Sequence, residues 1–181
     1  MILIDSVYVH NSGGKTLLQA LINSIDRDDL RNYWFVFDSR FDNNYIKSIN
    51  AGRITILKAS ELQRRKFYKK NRDNFKSILC FSNVPPPISI DQRVVIYFQN
   101  DLLLSSKNSG LDLRSLLILA IKKTYISFLN KKNYLWAVQT ILMKEKLINS
   151  LRIESDNIEV CLLYTSPSPR DRSLSRMPSS A

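Results

Sequence analysis

The residues that first invite chemistry are Gly13-Gly14-Lys15-Thr16, reached through Val7-Tyr8-Val9-His10-Asn11-Ser12. An apolar run from Ile2 to Val9 precedes them and reads as a buried strand. Leu17-Leu18-Gln19-Ala20-Leu21-Ile22 follows and reads as a helix. A strand, a small-residue loop and a helix in that order present free backbone N–H groups to an anion. The two glycines permit positive φ and let a phosphate approach the backbone. Lys15 adds a positive charge and Thr16 a hydroxyl. The same residues also describe a plain strand-to-helix turn. His10, beside the loop, reads as a structural hydrogen-bond partner.

The chain supplies one histidine and two cysteines, Cys80 and Cys161. That inventory gives neither a disulfide framework nor zinc-ligand spacing, so no metal is expected. Cys80, Trp34 and Trp136 read as core residues. A net charge of +11 over 181 residues favours an anionic partner: a phosphorylated ligand, a membrane surface or nucleic acid. No basic leader precedes Asp5 and no apolar run reaches the length of a membrane span, so a cytoplasmic protein is expected.

Five further segments read as strands: Tyr33 to Phe37, Arg53 to Lys58, Ser77 to Phe81, Arg93 to Phe98 and Tyr134 to Val138. Asn157 to Val160 begins another. Helical patterns lie between them. Ser60-Glu61-Leu62-Gln63 spells a capping box before a basic helix reaching about Phe75. A long apolar helix is expected over 111–130, with Leu116 to Ile121 in the core, and Ile141 to Leu151 forms the next. Strands apolar throughout and alternating with helices predict an α/β fold: a Rossmann-like parallel sheet with helices on both faces. Such sheets bind ligands outside their C-terminal strand ends. The polar residues gather there: Asn11 to Lys15, Asp38, Ser82-Asn83, Gln99-Asn100 and Gln139-Thr140.

From about Cys161 the chain changes character. Ser and Pro dominate 161–181 and no apolar period survives, which predicts a disordered C-terminal tail. This stretch also resembles the conceptual translation of a transposase-type sequencing adapter. On that resemblance residues 161–181 are non-native and 1–160 belong to a truncated gene.

Ser-Gly-Gly-Lys at the first strand end, Asn-Val-Pro-Pro-Pro after the fourth, Tyr-Phe-Gln-Asn on the fifth and Val-Gln-Thr-x-x-Met-Lys on the sixth together resemble the N-terminal, acceptor-side half of bacterial GT-B glycosyltransferases of the group-1 type. The resemblance covers about 1–160. It implies one half of a GT-B fold, acting without metal or cofactor in surface polysaccharide assembly, with a nucleotide-sugar as co-substrate and a glycan or lipid-linked acceptor. Gly13, Gly14 and Lys15 would meet the donor phosphates. Asn83, Gln99, Asn100 and Thr140 would line the acceptor side. Where relatives place a catalytic His or Asp this chain has Gln99-Asn100, so Asp101 or Asp38 would serve as general base, and the sequence does not choose between them. The catalytic cleft of the family lies between two domains, so the fragment alone is expected to be inactive.

Two other readings compete. Gly14-Lys15-Thr16 matches the end of a P-loop, but position 9, where the motif's first glycine belongs, is Val9. A non-enzymatic binding module is the other, although no recognised nucleic-acid motif appears and nucleic acid is not expected as a partner. Finally, residues 60–76 hold Arg64, Arg65, Lys66, Lys69, Lys70, Arg72 and Lys76 against Glu61 and Asp73. With Leu62, Phe67, Tyr68 and Phe75 as anchors, this helix is expected to dock on the cytoplasmic face of an anionic membrane.

Overall fold

Tyr33-Trp34-Phe35-Val36-Phe37 shows why the chain forms a buried sheet. Successive side chains on a strand point to opposite faces. Trp34 and Val36 enter one hydrophobic core, while Phe35 and Phe37 enter another on the opposite face. A strand this apolar on both sides is stable only between two covering layers.

The computed structural model describes residues 1–104 and 112–161. Its strands are β1 (Ile2–Ser6), β2 (Tyr33–Asp38), β3 (Arg53–Leu57), β4 (Ser77–Cys80), β5 (Arg93–Phe98), β6 (Leu135–Val138) and β7 (Ile158–Val160). They form one parallel sheet in the order β3-β2-β1-β4-β5-β6-β7. The helices are α1 (Ser12–Asn23), α2 (Asn43–Ser48), α3 (Glu61–Asn71), α4 (Asp101–Leu104), α5 (Leu113–Leu129) and α6 (Ile141–Leu151). Leu18 and Ile22 of α1 and Ile46 of α2 pack on one face. Phe67 of α3, Leu103 of α4, Ile126 of α5 and Leu147 of α6 pack on the other. The expected Rossmann-like parallel sheet with helices on both faces is therefore present. Cys80, Trp34 and Trp136 are all buried.

Several expectations change. The first strand ends at Ser6, because Val9 N–H donates to Ser6 O at 2.9 Å and closes a tight turn. Gly13 and Gly14 lie inside the first turn of α1, not in a loop before it. The capping box at α3 does not form: Ser60 makes no side-chain cap, and Gln63 accepts from Lys58 N–H at 3.1 Å. Leu116 to Ile121 is not core. Leu117, Ile118 and Ile121 are exposed, and the buried residues of α5 are Ile126 and Leu129. Residues 105–110, whose polar sequence reads as a loop, and the tail beyond Cys161 lie outside the described residues. Among those residues no helix is long and apolar enough to cross a membrane.

The basic helix is also corrected. Arg64 is fully buried and its Nε donates to Asp5 Oδ2 at 2.7 Å. Its two Nη groups donate to the carbonyls of Pro85 at 2.8 Å and Val84 at 2.9 Å. Phe67, Tyr68 and Phe75 are core residues. Three of the four supposed anchors thus face inward, and so does Arg64, whose buried guanidinium needs its charge and donors answered.

Candidate functional site

In this strand order the chain reverses direction across the sheet between β1 and β4, so the segments that follow them leave toward opposite faces. Ligand crevices open at such points in parallel α/β sheets. Here the crevice has two adjoining lobes that share Tyr8, Val9, Asn83 and Asn100. One lobe, of about 480 Å³, is lined by Asn11, Ser12, Gly13, Gly14, Gln99, Asp101 and Gln139. The other, of about 420 Å³, adds Glu61, Ser82, Leu103, Lys122 and Tyr125. A larger hollow of about 580 Å³ beside Arg27 and Tyr45 holds none of the candidate residues.

The backbone around the cleft is held in uncommon conformations. Tyr8, Ser12 and Asn83 have φ of 83°, 53° and 64°. Non-glycine residues in the left-handed region need surrounding structure to hold them there, and such residues concentrate at functional sites. The Ser6–Val9 turn places Tyr8 where glycine is usual. Two buried carboxylates pin it: Asp5 accepts from Val7 N–H at 3.2 Å, and Asp38 from Tyr8 N–H at 3.0 Å. Asn83 is fixed differently. Its Oδ1 accepts from the N–H groups of Gln99 at 2.6 Å and Asn100 at 3.1 Å, tying the end of β4 to the end of β5.

Gly13, at the start of α1, opens onto unoccupied space, and an added Cβ there would meet no atom within 4 Å. Gly14 is closed in by Gln99 Nε2, 3.3 Å from where a Cβ would stand. The first turn of α1 therefore meets the cleft with little side chain over its backbone amides, and the positive end of the helix dipole lies there.

Of the expected site residues, Gly13, Gly14, Asn83, Gln99, Asn100 and Asp101 share the cleft wall. Three stand elsewhere. Lys15 ion-pairs with Asp42 at 3.4 Å and lies over the Phe41 ring, 5.7 Å from its centroid. Thr140 caps α6, accepting from Met143 N–H at 3.2 Å. Asp38 is fully buried, with both oxygens committed to Arg40 and one also to Tyr8. Burial alone would raise its pKa, but the hydrogen bonds from the Arg40 side chain and backbone and from Tyr8 N–H outweigh that and hold the carboxyl below its usual range. His10 Nδ1 lies 3.4 Å from Tyr8 O, in keeping with a structural role. Asp101 opens α4 and pairs with Lys146.

Sequence reasoning missed a second group. Glu61 Oε1 accepts from Tyr8 OH at 2.7 Å, and Oε2 accepts from Tyr125 OH at 2.9 Å. Burial raises the phenol of Tyr125 to about 12, with Glu61 adding to the rise; the Tyr8 phenol goes higher for the same two reasons. Both tyrosines are thus neutral donors that aim one carboxylate at the cleft. Nothing in sequence spacing links positions 8, 61 and 125. Ser82, only 4% exposed, also lines this lobe, and its hydroxyl has no hydrogen-bond partner. Buried polar atoms are ordinarily satisfied, so an orphan hydroxyl on a cleft wall suits a polar ligand.

Among the described residues no group of three or more His, Cys, Asp or Glu side chains is arranged to hold a metal ion. Set against family models, curated proteins and solved structures, the chain matches none of them.

Proposed function

We propose that this chain is the acceptor-side half of a glycosyltransferase that moves a sugar from a nucleotide-sugar to a glycan or lipid-linked acceptor. The observation that carries the reading is the single cleft in which the bare first turn of α1 faces the amides of Asn83, Gln99 and Asn100 and the Asp101 carboxylate. In this reading the backbone N–H groups at Gly13 and Gly14 receive the donor diphosphate. Charge builds on that diphosphate as the bond to the anomeric carbon breaks, and fixed N–H donors stabilise it. The acceptor hydroxyl forms the new bond to the anomeric carbon and releases its proton to a carboxylate.

Asp101 is the better base of the two expected. Asp38 is sealed from the cleft, whereas Asp101, although paired with Lys146, lines the lobe that holds Gly13. Glu61 and Ser82 would position the acceptor in the second lobe. The P-loop reading draws no support from Lys15, which leans on Asp42 and Phe41 away from the helix start.

The test is a titration of the 181-residue chain with uridine and guanosine diphosphates, followed by backbone amide NMR. At least one should shift the Gly13, Gly14 and Gln99 amides. Gly13→Val, whose Cβ would meet no atom within 4 Å, should remove the response and leave thermal stability unchanged. Nucleotide shifts absent from the cleft, or unaltered in the valine variant, would overturn the reading. The chain alone should transfer no sugar from nucleotide-sugar to acceptor above the blank rate.

A further inference from the structure

The strongest unexplained feature outside the cleft is the outer side of α5. At 3.6 residues per turn, Leu113, Leu117, Ile121 and Phe128 fall in one stripe. They are exposed by 84%, 60%, 60% and 79%. The opposite side of the same helix carries Ile126 and Leu129 into the core, with Leu119 packed partly against it. A helix apolar on all sides is ordinarily enclosed; this one is covered along one side only. Leu62, also exposed at 64%, stands in the first turn of α3, which the Glu61–Tyr125 hydrogen bond ties to α5.

Charge says what covers it. From 113 to 132 the chain has Arg114, Lys122, Lys123, Lys131 and Lys132 and no carboxylate, with Asp112 flanking the start. Exposed Arg65 and Lys69 stand on the adjacent helix. Glu61, the acid facing α5 from α3, is engaged by Tyr8 and Tyr125. A second copy meeting this face across a two-fold axis would bring the same cations against one another. An anionic bilayer offers the complement of both features, acyl chains for the stripe and negative headgroups for the cations.

We infer that the outer face of α5 seats this protein on an anionic membrane surface, replacing residues 60–76 as the docking element. Lys122 and Tyr125 belong both to α5 and to the cleft wall, so the cleft opens beside that surface. An acceptor carried in the bilayer would then be presented without leaving it. The docking does not depend on the sugar-transfer reading.

The experiment is co-sedimentation of the 181-residue chain with vesicles of phosphatidylcholine, and of phosphatidylcholine mixed with phosphatidylserine, at low and high salt. Binding is expected for the mixed vesicles only, weakening as salt rises. Leu117→Asn with Ile121→Asn, at two exposed positions, should keep the circular dichroism spectrum and melting temperature and weaken binding on the order of tenfold or more. Lys66→Glu with Lys70→Glu alters charge on the β3 side of α3, away from α5, and should leave binding within a factor of about five. Absence of binding to the mixed vesicles, or equal binding by the Asn variant, would overturn the inference. So would a concentration-dependent dimer that the Asn variant abolishes, because a second copy would then cover the face.

Discussion

Asp38 shows how a side chain chosen for catalysis can belong to the scaffold. At the end of β2 it holds the left-handed Tyr8 backbone and grips Arg40 through bonds of 2.8 and 2.7 Å. Its pKa is depressed in the folded state, so the stability it confers is present above the ordinary carboxylate pKa of about 3.9 and is lost as pH falls below that value. Urea unfolding at neutral pH and again near pH 3 checks this: Asp38→Asn should lose less stability on acidification than the parent chain. Asp101 differs because it lines the cleft. On the proposed glycosyltransferase reading, Asp101→Asn in a chain joined to a donor-side half should lower kcat by on the order of 10²–10⁴-fold. Parental turnover would remove Asp101 from the chemistry. Lys15 was chosen for its place after two glycines, yet helix geometry carries its side chain to Asp42. A residue's sequence neighbours do not say which way its side chain points.

At the scale of the element, two helix starts that look alike in sequence behave differently. Thr140 accepts from Met143 N–H, whereas Ser60 makes no such bond. Thr140→Ala should therefore cost roughly 1 kcal/mol in chemical denaturation, as a lost N-cap does. Ser60→Ala should be close to neutral, and an equal cost at the two positions would contradict the geometry. Element types were legible for the strands and for α1, α3, α5 and α6, because a strand such as Tyr33–Asp38 and a helix such as Ile141–Leu151 carry their periodicity openly; α2 and α4, of six and four residues, are too short to show one. What could not be read was which elements touch. The apolar composition of α5 resembles a core helix, and only the packing reveals that most of its length lies outside the core. The basic composition of α3 resembles a solvated face, although Arg64 lies within the fold.

For the whole molecule, the same logic separates the legible half of the site from the hidden half. Gly13 and Gly14 open the helix that follows β1, and Asn83, Gln99 and Asn100 follow β4 and β5; a parallel sheet brings such junctions to one edge, so their convergence followed from the fold class. Tyr8, Glu61 and Tyr125 meet through a reversed turn, a helix start and a helix from the far side of the chain, and no local pattern records that meeting. The Asp5–Arg64 ion pair has a global reach of its own. Arg64→Ala would leave Asp5 buried beside Tyr68 without its counter-charge. Breaking a buried pair costs about 3–5 kcal/mol, a large part of a typical domain's 5–15 kcal/mol. Urea denaturation should show a collapse of the midpoint, and a loss under about 1 kcal/mol would mean that water reaches the site. That pair also sets an order in time. It spans 59 residues, and the guanidinium has its full set of acceptors only with the carbonyls of Val84 and Pro85 in place. As the polypeptide leaves the ribosome, β1 and β2 can meet early, but β1 lacks its other neighbour until β4 has emerged. Contacts this far apart slow folding. The nascent N-terminal half must therefore wait, with Asp5 unneutralised and one edge of β1 open, for a segment that is synthesised much later.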